Sequence, residues 1–338
     1  MRQLNKIIYI TLLLVLTYTI SSCYREDKIN NSPQGNYDAL WKIIDEKYCY
    51  LDVKQIDWDE VYIKYLPRVK ERMTNDQLFD LLTDMLAELK DGHVNLSSSF
   101  NLGREWSWYE DYPRNFDEAI IEEYLGNDYR ISGGVKYKIL NDNIGYMYYS
   151  SFQSPIGHGN MDHILDYLSL CDGIIIDVRH NGGGSITNSD VIASHFTNTE
   201  VLTSYIMHKK GKGHSDFSDP YPITLKPANG IKWQKEVVVL TNRRTYSAAN
   251  DFANSMRYLP KASLMGDTTG GGGGLPFTSE LPNGWSVRFS ASPMLSADKE
   301  HTEFGIVPET SVGMTLEDKL KGIDTIIEAA RKKIKKNI

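Results

Sequence analysis

Five short segments of this chain hold residue types that do chemistry when they meet. Leu240 to Ala253 carries an apolar run, a charged turn at Asn242-Arg243-Arg244, and Ser247 where an amphipathic helix begins. A hydroxyl there stands clear of the core among backbone N–H groups that helix geometry leaves unpaired, which suits a nucleophile. Ser is also a favoured helix cap, and the segment taken alone favours the cap. Leu89 to Leu96 sets His93 behind Asp91 and Gly92, just past a helix that Gly92 would stop, as a general base or as a cation at that helix's negative end. Gly173 to Ser185 runs an apolar strand into Gly182, Gly183 and Gly184, where backbone amides can approach a ligand as an oxyanion hole requires. No Lys-Ser/Thr follows those glycines, so a P-loop is excluded. Gly266 to Gly274 ends in five consecutive glycines and predicts a mobile loop, a lid over a site. His301 to Pro308 offers Glu303, either to orient a base or to solvate a turn. Together they supply the inventory of acyl transfer: a nucleophile, a base, backbone amides and an acid.

Bringing these segments together calls for an α/β core. Apolar runs at 145–152, 173–179, 201–207 and 236–241 alternate with helical patterns at 161–170, 186–196 and 246–259. Pro282-Asn283-Gly284 joins two extended stretches, 275–280 and 285–290, as a hairpin. Residues 315–336 predict one closing amphipathic helix whose basic end suits its dipole. Upstream, 37–48, 58–73 and a segment with Leu78, Phe79, Leu82, Met85, Leu86 and Leu89 predict a helical subdomain over 37–96. Thr74 and Gln77 form a capping box for its third helix. Residues 97–135 show no period and predict an irregular connector, leaving 136–338 as the core with its C-terminal helix.

The 338 residues, 41% hydrophobic with a net charge of −7, suit one large domain with a smaller appendage and offer no basic field for nucleic acid. Met1-Arg2 to Lys6, an uncharged run from Ile7 to Ile20, and Ser21-Ser22-Cys23 predict an export signal over 1–22. The apolar run is shorter than the ~20 residues of a spanning helix. Ile20-Ser21-Ser22-Cys23 resembles a bacterial lipobox, which implies cleavage before Cys23, lipid on its thiol and a flexible tether over 23–36. The expected location is the bacterial cell envelope, facing the periplasm or exported to the outer-membrane surface, with the lipid as the membrane contact. Glu26-Asp27 resembles a surface-export signal of some Gram-negative lipoproteins. Cys49 and Cys171 lack zinc-ligand surroundings and read as small buried residues, with a disulfide between them left open.

The order of blocks is more specific than any one of them. Asp91-Gly92-His93, Asp177-x-Arg179-x-Asn181-Gly182-Gly183, Asn242-Arg243-Arg244-Thr245-Tyr246-Ser247-Ala248-Ala249, Gly266-Asp267-Thr268-Thr269-Gly270-Gly271 and Gly305-Ile306-Val307-Pro308 resemble the tail-specific, or C-terminal processing, serine peptidase family over 37–312. The resemblance implies a ClpP/crotonase-like α/β core preceded by a helical subdomain, a peptide or protein substrate, and no metal or organic cofactor. Carried over by position, Ser247 matches the nucleophile of an acyl-enzyme, and the Ala248 and Gly183 N–H groups match the oxyanion donors. In the Ser–Lys branch a Lys stands where this chain has Gly272, and no Lys lies between Lys261 and Lys299. The likeness is therefore closer to the tricorn-core and interphotoreceptor retinoid-binding protein-like branch, which makes His93 the base. That branch has a Ser before the His and a Glu completing a tetrad, where this chain has Gly92 and Glu303. The connector is too short for the peptide-recognition PDZ domain of many relatives. The missing Lys and incomplete tetrad also admit a catalytically inactive lipoprotein binding a peptide or an apolar ligand in the same cleft, or a structural scaffold.

Overall fold

The computed structural model describes residues 30–336; the expected leader, Cys23 and most of the tether lie outside them. A seven-stranded sheet forms the centre. Its strands are β3 (Arg130–Ser132), β4 (Val135–Ile139), β5 (Gly145–Tyr148), β6 (Gly173–Asp177), β9 (Glu236–Thr241), β10 (Ala262–Gly266) and β13 (Thr310–Ser311), in the order β13-β10-β9-β6-β5-β4-β3. The strands from β13 to β5 run parallel and β4 and β3 antiparallel. Every residue of β6 is buried, as expected of a parallel strand covered on both faces. Alternation decides which face each side chain takes. Ile174, Ile176, Val237 and Val239 pack with helices α6 (His158–Tyr167), α7 (Ile186–Ala193) and α8 (Ala248–Met256), while Ile175, Val238 and Leu240 pack with α10 (Thr325–Lys336).

The second sheet joins the two ends of the chain. Its order is β2 (Leu102–Arg104), β1 (Asn95–Ser97), β12 (Ser286–Ser296), β7 (Val201–Ile206), β8 (Tyr221–Leu225), with β11 (Gly274–Glu280) also on β12. Helices α1 (Pro33–Lys47), α2 (Trp58–Tyr65) and α3 (Asn75–Ala87) pack on it, so Leu40, Ile44, Phe79 and Met85 share one core with Val287 and Phe289. The N-terminal helices thus cover a sheet whose long strand belongs to the C-terminal half. The predicted capping box is present: Thr74 Oγ accepts from Gln77 N, and the Gln77 side chain accepts from Thr74 N.

Several boundaries differ from expectation. Helix α1 begins inside the expected tether, because Ser32 caps it and Pro33 occupies its first turn. The connector is not irregular throughout. Besides β2 and β3 it holds α4 (Ser107–Glu110) and α5 (Glu118–Leu125), and α5, capped by Asp117, buries Ile120, Ile121 and Leu125, two turns too short to show a period in a charged segment. The closing helix is broken at Gly322, φ +69°, into α9 (Leu316–Leu320) and α10. Asp324 caps α10 through its Ile326 and Ile327 N–H groups and meets Arg179 at 2.9 Å, which ties that helix to the turn after β6. Arg179 also meets Asp177 at 2.6 Å, so the Asp-x-Arg of that block holds the backbone in place. Cys49 and Cys171 are buried free thiols. Among the described residues no helix is long and apolar enough to cross a membrane.

Candidate active site

Two turns leave the C-terminal ends of β6 and β9, which lie side by side, the place where open α/β sheets present a crevice. The second turn ends at Ser247. Tyr246 N–H donates to Asn181 O at 3.0 Å and Ser247 N–H to Gly271 O at 2.9 Å, which clamps the backbone on both sides. Between these clamps Ser247 adopts φ 57°, ψ −122°, outside the regions a side-chain-bearing residue favours. The cap reading fails. Ser247 stands at the head of α8, but its side chain accepts no hydrogen bond from the first turn; its Oγ lies 2.9 Å from His93 Nε2. Ser247 is half-buried.

His93 reaches Ser247 by a different route from the one predicted. Helix α3 ends at Ala87, well before Gly92, and the chain reverses through Lys90, φ +45°. Asp91 Oδ1 then accepts the His93 N–H at 2.8 Å, and β1 pairs with β12, placing Ser290 beside the ring. Gly92 is needed for room: a Cβ there would come within 2.6 Å of the Trp108 indole nitrogen. The serine that precedes the histidine in the tricorn-type site has no space here. Ser290, from β12, is the serine beside the ring, with Oγ 3.4 Å from His93 Nδ1 and donating to Asp91 Oδ2 at 3.0 Å. That polarity makes Nδ1 the protonated nitrogen and leaves the Nε2 lone pair facing Ser247. Burial, opposed by Asp91 and helped by Arg288 and Lys54, pulls the His93 pKa down to about 4, so the ring is neutral at ordinary pH.

Asp91, not Glu303, is the acid next to the histidine. Besides the His93 N–H and Ser290, it accepts from Tyr48 at 3.0 Å and Tyr246 at 3.2 Å. Burial works against its charge, but Lys54, His93 and these donors hold its pKa below the ordinary carboxylate range. Glu303 departs from the expectation that it completes the site against the base. Its Oε1 meets Lys54 Nζ at 2.7 Å and its Oε2 accepts the Gly273 N–H at 3.0 Å. Burial and the charge of Asp91 push its pKa up to about 7.

The glycine run is not a mobile lid. Gly270 to Gly274 are buried; Gly270 N–H donates to Thr245 O at 2.8 Å, and Met294 N–H to Gly273 O at 2.8 Å. Side chains are excluded sterically: a Cβ on Gly271 would sit 1.8 Å from Glu303 O, and one on Gly272, φ +75°, 2.4 Å from the Tyr246 ring. Gly272, the position that the resemblance aligns with the lysine of the Ser–Lys branch, thus has the Tyr246 ring packed against it. Restoring that lysine by Gly272→Lys is therefore expected to destabilise the fold by roughly 3 kcal/mol in urea unfolding, without adding activity.

The two predicted oxyanion donors are unequal. Ala248 N–H, first in α8, makes no hydrogen bond among the described residues and points out beside Ser247. Gly183 is packed against it, since a Cβ there would lie 2.7 Å from Ser247 Cβ and 2.9 Å from Ala248 N. Its own N–H donates to Asn181 Oδ1 at 2.9 Å, so it is not open as the site stands. A cavity of about 860 Å³ lies beside the dyad. It is lined by Lys54, Asp91, Gly92, Trp108, Tyr246 and Glu303 among others, but not by Ser247 or His93. Trp108 lies against Tyr246 with ring centroids 4.1 Å apart and planes tilted by 31°, its Nε1 buried without a partner among the described residues. Among the described residues no group of three or more His, Cys, Asp and Glu side chains is arranged to hold a metal ion.

Sequence reasoning assigned no role to three site residues. Asp91 was visible, two residues from His93 in a quoted block. Ser290 and Lys54 carried no signal, because only the β1–β12 pairing and the packing of the α1–α2 turn bring them in.

Comparison with known proteins gives concordant likenesses. A profile of peptidase family S41 matches residues 143–312, and one of the tricorn protease C1 domain matches residues 29–87. The carboxy-terminal processing protease CtpA of Bacillus subtilis (strain 168) is 27% identical over 191 residues, 55% of this chain and 39% of that protein. A protein of Chlamydia trachomatis serovar D is 25% identical over 183 residues, 50% of this chain and 30% of the other. The chain thus spans well under two thirds of the length of these relatives. Among solved structures, a candidate peptidase from Parabacteroides merdae ATCC 43184 is 56% identical with a TM-score of 0.87, covering 90% of this chain and 97% of the other. Mature CPAF complexed with lactacystin superposes with a TM-score of 0.68 over 90% of this chain and 97% of that one; at 12% identity this is a likeness of fold alone.

Proposed function

Because the chain belongs to peptidase family S41, we propose that it is a serine peptidase cleaving peptide bonds through an acyl-enzyme on Ser247. The observation that carries this reading is the 2.9 Å contact between Ser247 Oγ and His93 Nε2, made by a serine in a strained backbone conformation that caps nothing.

In the proposed reaction His93 Nε2 takes the Ser247 proton as Oγ attacks the substrate carbonyl carbon. The low pKa of His93 makes it a weak base on its own, so the imidazolium needs a counter-charge as it forms. Asp91 supplies that charge, reached through Ser290 at Nδ1. The carbonyl oxygen, negative in the tetrahedral intermediate, accepts from Ala248 N–H, and Gly183 becomes the second donor on exchanging Asn181 for the oxyanion. The imidazolium then gives its proton to the leaving amine, and a water activated by the same histidine hydrolyses the ester. An extended substrate has an edge to pair with: β11 begins at Gly274, among the described residues pairs with β12 alone, and exposes Phe277.

The cellular setting belongs to the same proposal. The basic, apolar and small residues leading to Cys23 support a lipoprotein of the bacterial cell envelope, held by lipid on that cysteine. Incorporation of a palmitate analogue in cells is expected, with loss in Cys23→Ala.

Peptide hydrolysis separates this reading from an inactive ligand-binding protein. The purified chain, incubated with denatured protein and with tail peptides, is expected to generate new termini visible by mass spectrometry. Sub-micromolar peptide binding with no new termini would assign the cleft to binding instead.

A further inference from the structure

Lys54 lies in the turn between α1 and α2, outside every segment that the chemistry of the sequence singles out. Its ammonium is nevertheless buried within the site, the side chain only 10% exposed. It is 2.7 Å from Glu303 Oε1 and 4.0 Å from Asp91 Oδ2, and it donates to the carbonyls of Leu89 at 3.2 Å and Lys90 at 3.3 Å. The rings of Tyr48 and Tyr50 flank it, with centroids 6.0 and 5.9 Å away. A lysine from the N-terminal helices therefore grips both the acid next to His93 and the main chain leading into it.

We propose that Lys54 is a positioning residue for peptide hydrolysis, holding Asp91 ionised and the 89–91 turn in place so that His93 stays oriented toward Ser247 and meets a counter-charge as it takes the proton. The inference rests on reading Ser247 and His93 as nucleophile and base. Asp91 and Glu303 are buried together, and two such carboxylates do not both stay charged without a cation. Lys54 supplies it. Asp91 takes the larger share of the donors, from Tyr48, Tyr246, Ser290 and the His93 N–H, whereas Glu303 has the Gly273 N–H alone besides Lys54. Asp91 is thus the group that keeps its charge. The charged and titratable groups facing His93 are Asp91, Tyr246, Lys54 and, from β12, Arg288; those facing Lys54 are Asp91, Glu303, Tyr48, Tyr50 and Cys49.

The test is the pH dependence of peptide hydrolysis by full-length wild type, Lys54→Met, Lys54→Arg, Asp91→Asn, the Lys54→Met/Asp91→Asn double variant and Ser247→Ala. Met keeps the apolar stem and removes the charge. Lys54→Met is expected to lower kcat about tenfold or more with KM little changed, and to move the acid limb of kcat/KM upward by about one pH unit, because Asp91, whose charge the imidazolium needs, then takes up its proton at a higher pH. Lys54→Arg is expected to return the limb toward the wild-type position. The double variant removes the charges of Lys54 and Asp91 together, leaving Glu303 as the one carboxylate of the cluster, which burial already pushes toward its neutral form, and is expected to be no slower than Asp91→Asn. A lysine that only packs would leave the limb unmoved. An unmoved limb in Lys54→Met, or a double variant slower than Asp91→Asn by the full effect of Lys54→Met, overturns the inference. Hydrolysis that survives in Ser247→Ala overturns the peptidase reading beneath it, whereas a dead Ser247→Ala with a wild-type-like Lys54→Met overturns the lysine's role alone.

Discussion

Ser247→Ala is expected to lower peptide hydrolysis by at least about 10⁴-fold while the protein unfolds at the wild-type temperature. The substitution deletes one atom, Oγ, whose side-chain contact is with His93 Nε2. No cap is lost, since Ser247 accepts no hydrogen bond from the first turn of α8. The strained φ of 57° is retained, because Ala and Ser bear the same Cβ, and the clamps from Asn181 and Gly271 act on the main chain alone. Rate and stability therefore separate at this position. Initial rates on a fluorogenic peptide and a thermal melt of the same preparation check the pair of expectations. Hydrolysis within tenfold of wild type would remove Ser247 from the chemistry.

His93→Ala is expected to cost about 10³-fold in kcat/KM, within the range general-base catalysis contributes. Its pH dependence is the more specific signature. His93 acts when neutral, and burial holds its pKa near 4, below the ordinary 6.5. Above that value the ring is unprotonated and the rate is on its plateau; below it the ring is charged and the rate falls. The wild-type acid limb is accordingly expected near pH 4, with little change between pH 5.5 and 7, and it should vanish from the residual activity of His93→Ala. Stopped assays from pH 3.5 to 8, with circular dichroism confirming the fold at each pH, give the limb. A limb at 6.5 would mean that a solvated histidine serves as base and that the buried geometry is not the working one.

Much of the central architecture was legible because it is local. Ile174 to Ile176 and Val237 to Leu240 are apolar runs that suit strands covered on both faces, and the helical periods between such runs point to an α/β core, although the run at 201–207 joins the antiparallel second sheet as β7. Thr74 and Gln77 announced a helix start from four residues. The Ser247 and His93 blocks were recognisable by order and wording, and the structure brings them within one hydrogen bond. What was hidden depends on contacts distant in sequence. Ser290 meets His93 because β1 pairs with β12, a partnership between residues about 190 apart that no local pattern encodes. Lys54 is one lysine among many in the sequence until burial distinguishes it. The five glycines misled in a physical way: glycine freedom suggests mobility, yet here it serves close approach, with Tyr246, Glu303 and Trp108 where side chains would have been. Glu303 misled similarly: its carboxylate is taken by Lys54 and the Gly273 N–H, and Asp91 stands beside the histidine instead.

The central claim is that His93 activates Ser247 as a nucleophile, and covalent trapping tests it most directly. Wild-type protein treated with a fluorophosphonate at pH 7 and analysed by peptide mass spectrometry is expected to carry one adduct, on Ser247, with labelling abolished in Ser247→Ala and slowed at least about 100-fold in His93→Ala. An unlabelled wild type, an adduct on another serine, or labelling of His93→Ala at the wild-type rate would contradict the account.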